Sequence, residues 1–271
     1  MRNICENAAK LGVRTELFAA VGSDAFGDLI VSSCEKSGIG TGLLKRLEGV
    51  SSSAYVSILD ENGDMSVAFS DMSIAQTLSP EDLECAMPLI KEASVVCFDG
   101  NPSKEFLTYA AKRISDEGIP LFLDPVSTAH AVKFENILGL FDTLKPNRLE
   151  LETLSGIKIT DDKSLREAAR AVIEKGVRRV FVTLGEKGVF YYDRDHNERR
   201  FCPEVVPMKN ATGAGDAFTA GLLSSYLDGL SVDDTLMRAA ACAAVAVSSE
   251  ETVSPYLSVN EISKYTGGTF L

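Results

Sequence analysis

Strand-like and helix-like segments alternate along most of this chain, and that alternation limits its possible folds more than any other feature. Residues 94–98, 120–123, 142–145 and 179–184 are short apolar runs of strand length. Ser103 caps a helical pattern that reaches Glu117, Glu150 lies in or near a short helix, and residues 164–175 form an amphipathic helical pattern. Strands separated by helices pair in parallel, because antiparallel neighbours need only a tight turn. The expected class is therefore α/β with a mostly parallel sheet. Such open sheets bind ligands beyond the carboxyl ends of their strands. Polar residues stand there: Asp99 and Asn101, Asp124 and Ser127, Asn147 and Glu150, then Thr183 with Gly185 and Gly188. Any one of these positions is explained by turn hydrogen bonding. Four such positions after four strands argue for a site.

Before this region, Ile4, Ala8 and Leu11 share one helical face that closes at Gly12, and residues 15–21 read as a strand. Ser23 or Asp24 caps a helix through Glu35 that ends at Gly38. The Gly38, Gly40 and Gly42 cluster follows a helix, whereas a dinucleotide fingerprint lies between a strand and a helix, so it reads as a connector. Residues 54–59 and 65–69 form two strands joined by Asp60, Glu61, Asn62 and Gly63, a hairpin signal. A hairpin inside an alternating chain is an appendage, either a lid over a site or a partner surface. Ser79-Pro80 opens a further helix, residues 189–192 form a further strand, and Ser231 caps an Ala-rich helix to about Ser248.

The 271 residues, 45% of them hydrophobic, suffice for a substantial core, and the formal charge of -12 offers no basic stripe for a nucleic-acid polymer. Cys5, Cys34, Cys85, Cys97, Cys202 and Cys242 are scattered singly, and the chain has only 2 His, so neither a zinc site nor a disulfide framework is indicated. The longest run of small apolar residues, 239–247, is too short to cross a bilayer, and no signal-like segment is read at the start. A cytoplasmic location without a membrane partner is the expectation.

The stretch 209–229, KNATGAGDAFTAGLLSSYLDG, carries the chemistry. Small residues at Gly213, Ala214 and Gly215 lead into a helix, and the bare N–H groups of a helix start hold phosphate or developing negative charge. Asp216 either complements the helix dipole or, at the lip of an anion cradle, takes a proton from an attacking hydroxyl. Asn147 and Glu150 are spaced equally well for a capping box and for holding magnesium through water. The TLGEKG turn, 183–188, suits a phosphate tail or is an ordinary glycine turn. No GxxxxGK[ST] motif occurs, so a Walker-type kinase is not indicated.

NxxE at 147–150, TxGxxG at 183–188 and NATGAGD at 210–216, in that order, resemble the ribokinase-like (PfkB) carbohydrate kinase family, over essentially the whole chain. The resemblance implies a three-layer α/β/α sandwich, with 1–40 and 76–271 as core and 41–75 as a β lid. It further implies ATP and Mg2+ as cofactors and a sugar or nucleoside as substrate. Asp216 would be the catalytic base and a substrate contact, Gly213, Ala214 and Gly215 the anion hole. Asn147 and Glu150 would position magnesium and phosphates, and Asn147, Thr183, Gly185 and Gly188 would bind ATP. A monovalent cation near Asn210 and a homodimer through the lid go with the same resemblance. RNICEN (2–7), DPVS (124–127), LKPNRLELETLSG (144–156) and PYLSV (255–259) resemble the pseudouridine kinases of that family. This narrower likeness implies transfer of the ATP γ-phosphate to the 5′-hydroxyl of pseudouridine, with Asn3 and Asn101 as substrate contacts. The alternatives are another sugar or nucleoside kinase of the family, or a nucleotide-binding remnant. Family members place a strand with a substrate-binding Asp, a lid strand and Gly-Gly before the position of Asn3, where only Met1 and Arg2 stand here. The sheet is accordingly expected to lack a central strand and to leave neighbouring edges open.

Overall fold

The computed structural model describes residues 1–59, 65–203 and 206–266. The chain begins with α1 (Arg2–Lys10), β1 (Thr15–Glu16), β2 (Ala19–Gly22), α2 (Ala25–Lys36), β3 (Ile39–Gly40) and β4 (Leu44–Leu47). The single strand expected over 15–21 is broken. Leu17 turns into a cluster with Cys5, Cys34 and Ile39, while Phe18 stacks on Phe106 with ring centroids 5.9 Å apart. As a result β1 pairs with β3 and β2 with β4, in two separate parallel pairs. β5 (Ala54–Leu59) and β6 (Met65–Asp71) form the antiparallel hairpin, and its expected turn at 60–63 lies outside the described residues.

The alternating part follows as α3 (Pro80–Ile90), β7 (Val96–Asp99), α4 (Lys104–Ser115), β8 (Leu121–Asp124), α5 (Thr128–Ala131), β9 (Thr143–Leu144), α6 (Arg148–Ser155), α7 (Asp162–Glu174) and β10 (Arg179–Thr183). Then come β11 (Val189–Asp193), β12 (Glu198–Phe201), α8 (Ala214–Leu227), α9 (Val232–Val247) and α10 (Val259–Ser263). Local chemistry sets the helix starts. Ser79 and Asp82 form a capping box with Pro80 just inside, and Asp24, Ser103 and Ser231 each accept a hydrogen bond from the backbone three residues on.

Among the described residues the main sheet has six strands in the order β12-β11-β10-β9-β8-β7, parallel from β7 to β10 and antiparallel from β10 to β12. Side chains alternate between its faces. Leu121, Leu123, Val180 and Val182 join a core with α3, α4, α6 and α7. Phe122, Phe181, Val189 and Tyr191 join another with Ile4, Phe218, Leu222 and Leu236 of α1, α8 and α9. The strands are apolar on both faces because helices cover both, which makes three α/β/α layers.

β7 has no partner strand on its far side among the described residues. A cavity of about 940 Å3 lies there, lined by Phe18, Ala20, Val96, Phe98 and Asp99 among others. The hairpin exposes Val56, Ile58, Val67 and Phe69. No helix among the described residues is long and apolar enough to cross a membrane.

α8 and α9 approach closely at Gly221, where an added Cβ would lie 2.6 Å from the Ala239 Cα. Backbone cannot yield as a flexible side chain does. Gly221→Val is expected to destabilise the protein by about 1–3 kcal/mol, the range for overpacked cores. Urea unfolding checks this, and an unchanged midpoint would refute it.

Candidate active site

The polar ends of the parallel strands lie side by side. Asp99 and Asp124 are in register at the ends of β7 and β8, and Lys145 N–H donates to the Leu123 carbonyl at 2.9 Å. Asn147 bridges to Thr183, whose N–H donates to the Pro146 carbonyl at 2.9 Å. Asn147 and Thr183, far apart in sequence, thus share one rim, with the Gly185–Lys187 turn closed by a Leu184 N–H bond to the Gly188 carbonyl at 2.8 Å.

The start of α8 completes that rim. Gly213 is its N-cap with φ 90°, and an added Cβ would stand 2.0 Å from the Thr252 carbonyl oxygen. Only glycine meets both conditions, so the N–H groups that follow lead the helix without side chains over them. Asp216, in the first turn, accepts a hydrogen bond from Asn3 Nδ2 at 3.0 Å. Two residues 213 positions apart are thereby brought into contact.

On the other side, Asn101 donates to Asp99 through both its backbone N–H (3.0 Å) and its Nδ2 (2.9 Å). Burial pushes the Asp99 carboxyl up, but the Met1 ammonium at 3.0 Å and the Asn101 donors outweigh it and hold the group below the usual range. Lys133 Nζ donates to the Gly100 and Pro102 carbonyls at 2.7 and 2.8 Å and fixes this loop. Asn3, Asp99 and Asn101 all line the 940 Å3 cavity.

Asn147 and Glu150 form a complete capping box. Asn147 Oδ1 accepts from the Glu150 N–H at 2.9 Å, Glu150 Oε2 from the Asn147 N–H at 2.8 Å, and Glu150 Oε1 from Asn147 Nδ2 at 2.9 Å. Among the described residues no cluster of three His, Cys, Asp or Glu side chains is placed to grip a metal directly. Hard oxygen donors that are already hydrogen-bonded suit magnesium, which keeps several of its waters. Asn210, flagged for a monovalent cation, accepts from the Thr212 N–H at 2.8 Å and donates to the Glu250 carbonyl at 3.0 Å.

Three site residues carry roles that were not read from sequence. Lys145 Nζ pairs with Asp124 Oδ2 at 2.8 Å with both side chains buried, and Thr219 Oγ1 donates to the same oxygen at 2.8 Å. Burial pulls Lys145 down, but Asp124, with Glu150 and Asp216 further out, raises it above its ordinary value. Asp124 was visible as a strand-end residue. Lys145 lay within the LKPN stretch with nothing local to mark it as buried.

The strand ends, the glycine turn and the cavity beside β7 thus gather on one side of an α/β/α fold. A family model, "pfkB family carbohydrate kinase", matches residues 1–258, and the chain belongs to that family. It is a phosphotransferase that acts on a sugar or nucleoside. The chain is 36% identical over 261 residues to the pseudouridine kinase of Escherichia coli K12, covering 96% of this chain and 83% of the relative. It is 28% identical to the deoxyribokinase of Salmonella typhi, with 95% and 83% covered. The structure of Arabidopsis thaliana ribokinase complexed with ribose and ATP superposes with a TM-score of 0.84 at 23% identity, over 97% of this chain and 85% of that one. The ribokinase-like architecture expected from the sequence is the fold observed.

Burial is the main reason the Glu150 carboxyl is raised above its ordinary value, against the pull of the Asn147 N–H and Lys145. A raised folded-state pKa means the protonated form favours folding. That contribution is full below the unfolded value of about 4.5 and is lost as pH rises through the folded one. Glu150→Gln keeps an acceptor for the cap and removes the charge. The stability difference is expected to move in favour of the variant as pH rises from about 4 to 7.5 in urea titration, and a move the other way would show that the charge itself is required.

Proposed function

We propose that this chain transfers the γ-phosphate of ATP to the 5′-hydroxyl of pseudouridine. The carrying observation is Asp216, oriented by Asn3 at the lip of the glycine turn, because a general base must meet its proton donor beside the phosphate site. The 36% identity to a pseudouridine kinase over nearly the whole chain supports that acceptor over ribose. Asn3 and Asn101 share the cavity beside β7 and would contact the nucleoside there.

Gly213, Ala214 and Gly215 form the anion hole for the transferred phosphoryl group. Thr183, Gly185 and Gly188 line the phosphate tail, with Asn147 on the same rim. Asn147 and Glu150 would hold magnesium. Bound magnesium neutralises phosphate charge, and the rest falls to the protein: the turn's N–H groups meet the developing charge, and Asp216 accepts the hydroxyl proton.

The hairpin is read as a lid over the acceptor site, since Tyr55 and Met72 border the cavity. Its exposed Val56, Ile58 and Phe69 support contact with a second copy. Phe69→Asp is expected to shift sedimentation from dimer to monomer, and a wild-type chain that sediments as a monomer would refute the dimer.

A second reading rests on the same cavity. With β7 lacking an outer partner among the described residues and 940 Å3 open beside Asn3 and Asn101, the chain would hold nucleotide and not acceptor. One assay separates the two: ADP release from MgATP with pseudouridine, uridine and ribose, for wild type and Asp216→Asn. The kinase reading expects turnover with pseudouridine, and a loss of about 100- to 10,000-fold in the variant with ATP binding kept. Nucleotide binding without turnover on any acceptor favours the second reading.

A further inference from the structure

The roles above leave Lys145 unused, although its ammonium stands at the floor of the turn. A Cβ added to Gly215 would lie 3.2 Å from Lys145 Nζ. Asp124 Oδ2 receives Lys145 Nζ and Thr219 Oγ1, each at 2.8 Å, and Asp124 Oδ1 receives the Val126 N–H at 3.2 Å. The end of β8, the residue after β9 and the second turn of α8 are tied at one carboxylate. The charged groups facing the ammonium are Asp124, Glu150 of α6 and Asp216 of α8, and Asp216 also faces the Met1 ammonium.

Stability does not call for this arrangement. Exchanging a buried ion pair for apolar residues of similar volume is often neutral or stabilising. The location does have a use in catalysis. A helix start presents about half an elementary charge, and a full ammonium behind the same turn adds to the field where phosphoryl charge develops.

We propose that Lys145 is a positioning residue for phosphoryl transfer: it locks the start of α8 to the strand ends and places a permanent positive charge beneath the Gly213–Gly215 turn and near Asp216. The inference rests on the phosphotransfer reading of the site. As the acceptor oxygen bonds to the γ-phosphorus, its proton passes to Asp216 and the bond to the β-phosphate oxygen breaks to leave ADP. Lys145 keeps its proton throughout.

The test compares wild type with Lys145→Met, Lys145→Arg and the double variant Asp124→Asn/Lys145→Met. Steady-state kinetics use whichever acceptor the wild type phosphorylates, and MgADP affinity is read by calorimetry. Lys145→Met is expected to lower kcat by about 100-fold, the scale for one lost electrostatic donor. KM for ATP and the MgADP Kd should stay within about threefold, because the charge acts on the transition state. Lys145→Arg should restore most of kcat, because it returns a cation to the same carboxylate. The double variant leaves no orphaned carboxylate, so it should fold even if Lys145→Met does not, and should also lower kcat by more than about threefold. A folded Lys145→Met or double variant with kcat within threefold of wild type overturns the proposal and leaves the kinase reading intact. A wild type that binds MgADP but releases no ADP with any acceptor overturns both.

Discussion

The site depends on one buried ion pair. Asp124 and Lys145 meet at 2.8 Å between two parallel strand ends, and Thr219 joins them from the helix that carries Asp216. Two charges inside a protein must satisfy each other or shift their protonation, so neither can move far alone. The strand ends and the helix start are therefore held in one frame. Asn3 closes it from the opposite side by donating to Asp216. Asp216 is held by an amide on one flank and stands near an ammonium on the other, with the glycine turn beside it.

The turn shows why small residues gather there. Gly213 has a positive φ and lies against the Thr252 carbonyl, so backbone N–H groups lead α8 with no Cβ at its cap. The Asn147–Glu150 pair satisfies the start of α6 as a complete capping box, which is one of the two readings its spacing allowed in the sequence.

Much of this was legible in the chain. Helix starts at Ser79, Ser103 and Ser231 were read correctly because a cap is a contact between residues three apart. The parallel order followed from strand-helix alternation. The GAGD turn was legible because glycine at a helix start has few other uses. What was missed is non-local. The break at Leu17 and Phe18 depends on Phe106, and β3, β4 and β12 are strands of two to four residues whose pairing partners decide their existence. Lys145 looks like any lysine after a strand until Asp124, twenty-one positions earlier, is seen against it. Asn3 was reached only through family resemblance, since no local pattern links it to Asp216.

The tight seam at Gly221 reaches beyond packing. Asp216 and Gly221 sit on one helix, so α9 acts as a mould for the glycine turn although it lies outside that turn. Bulk inserted at Ala239 or Gly221 would tilt the whole of α8, and Asp216 would swing with it. Sequence drift on the buried face of α9 is thus confined to exchanges of nearly equal volume.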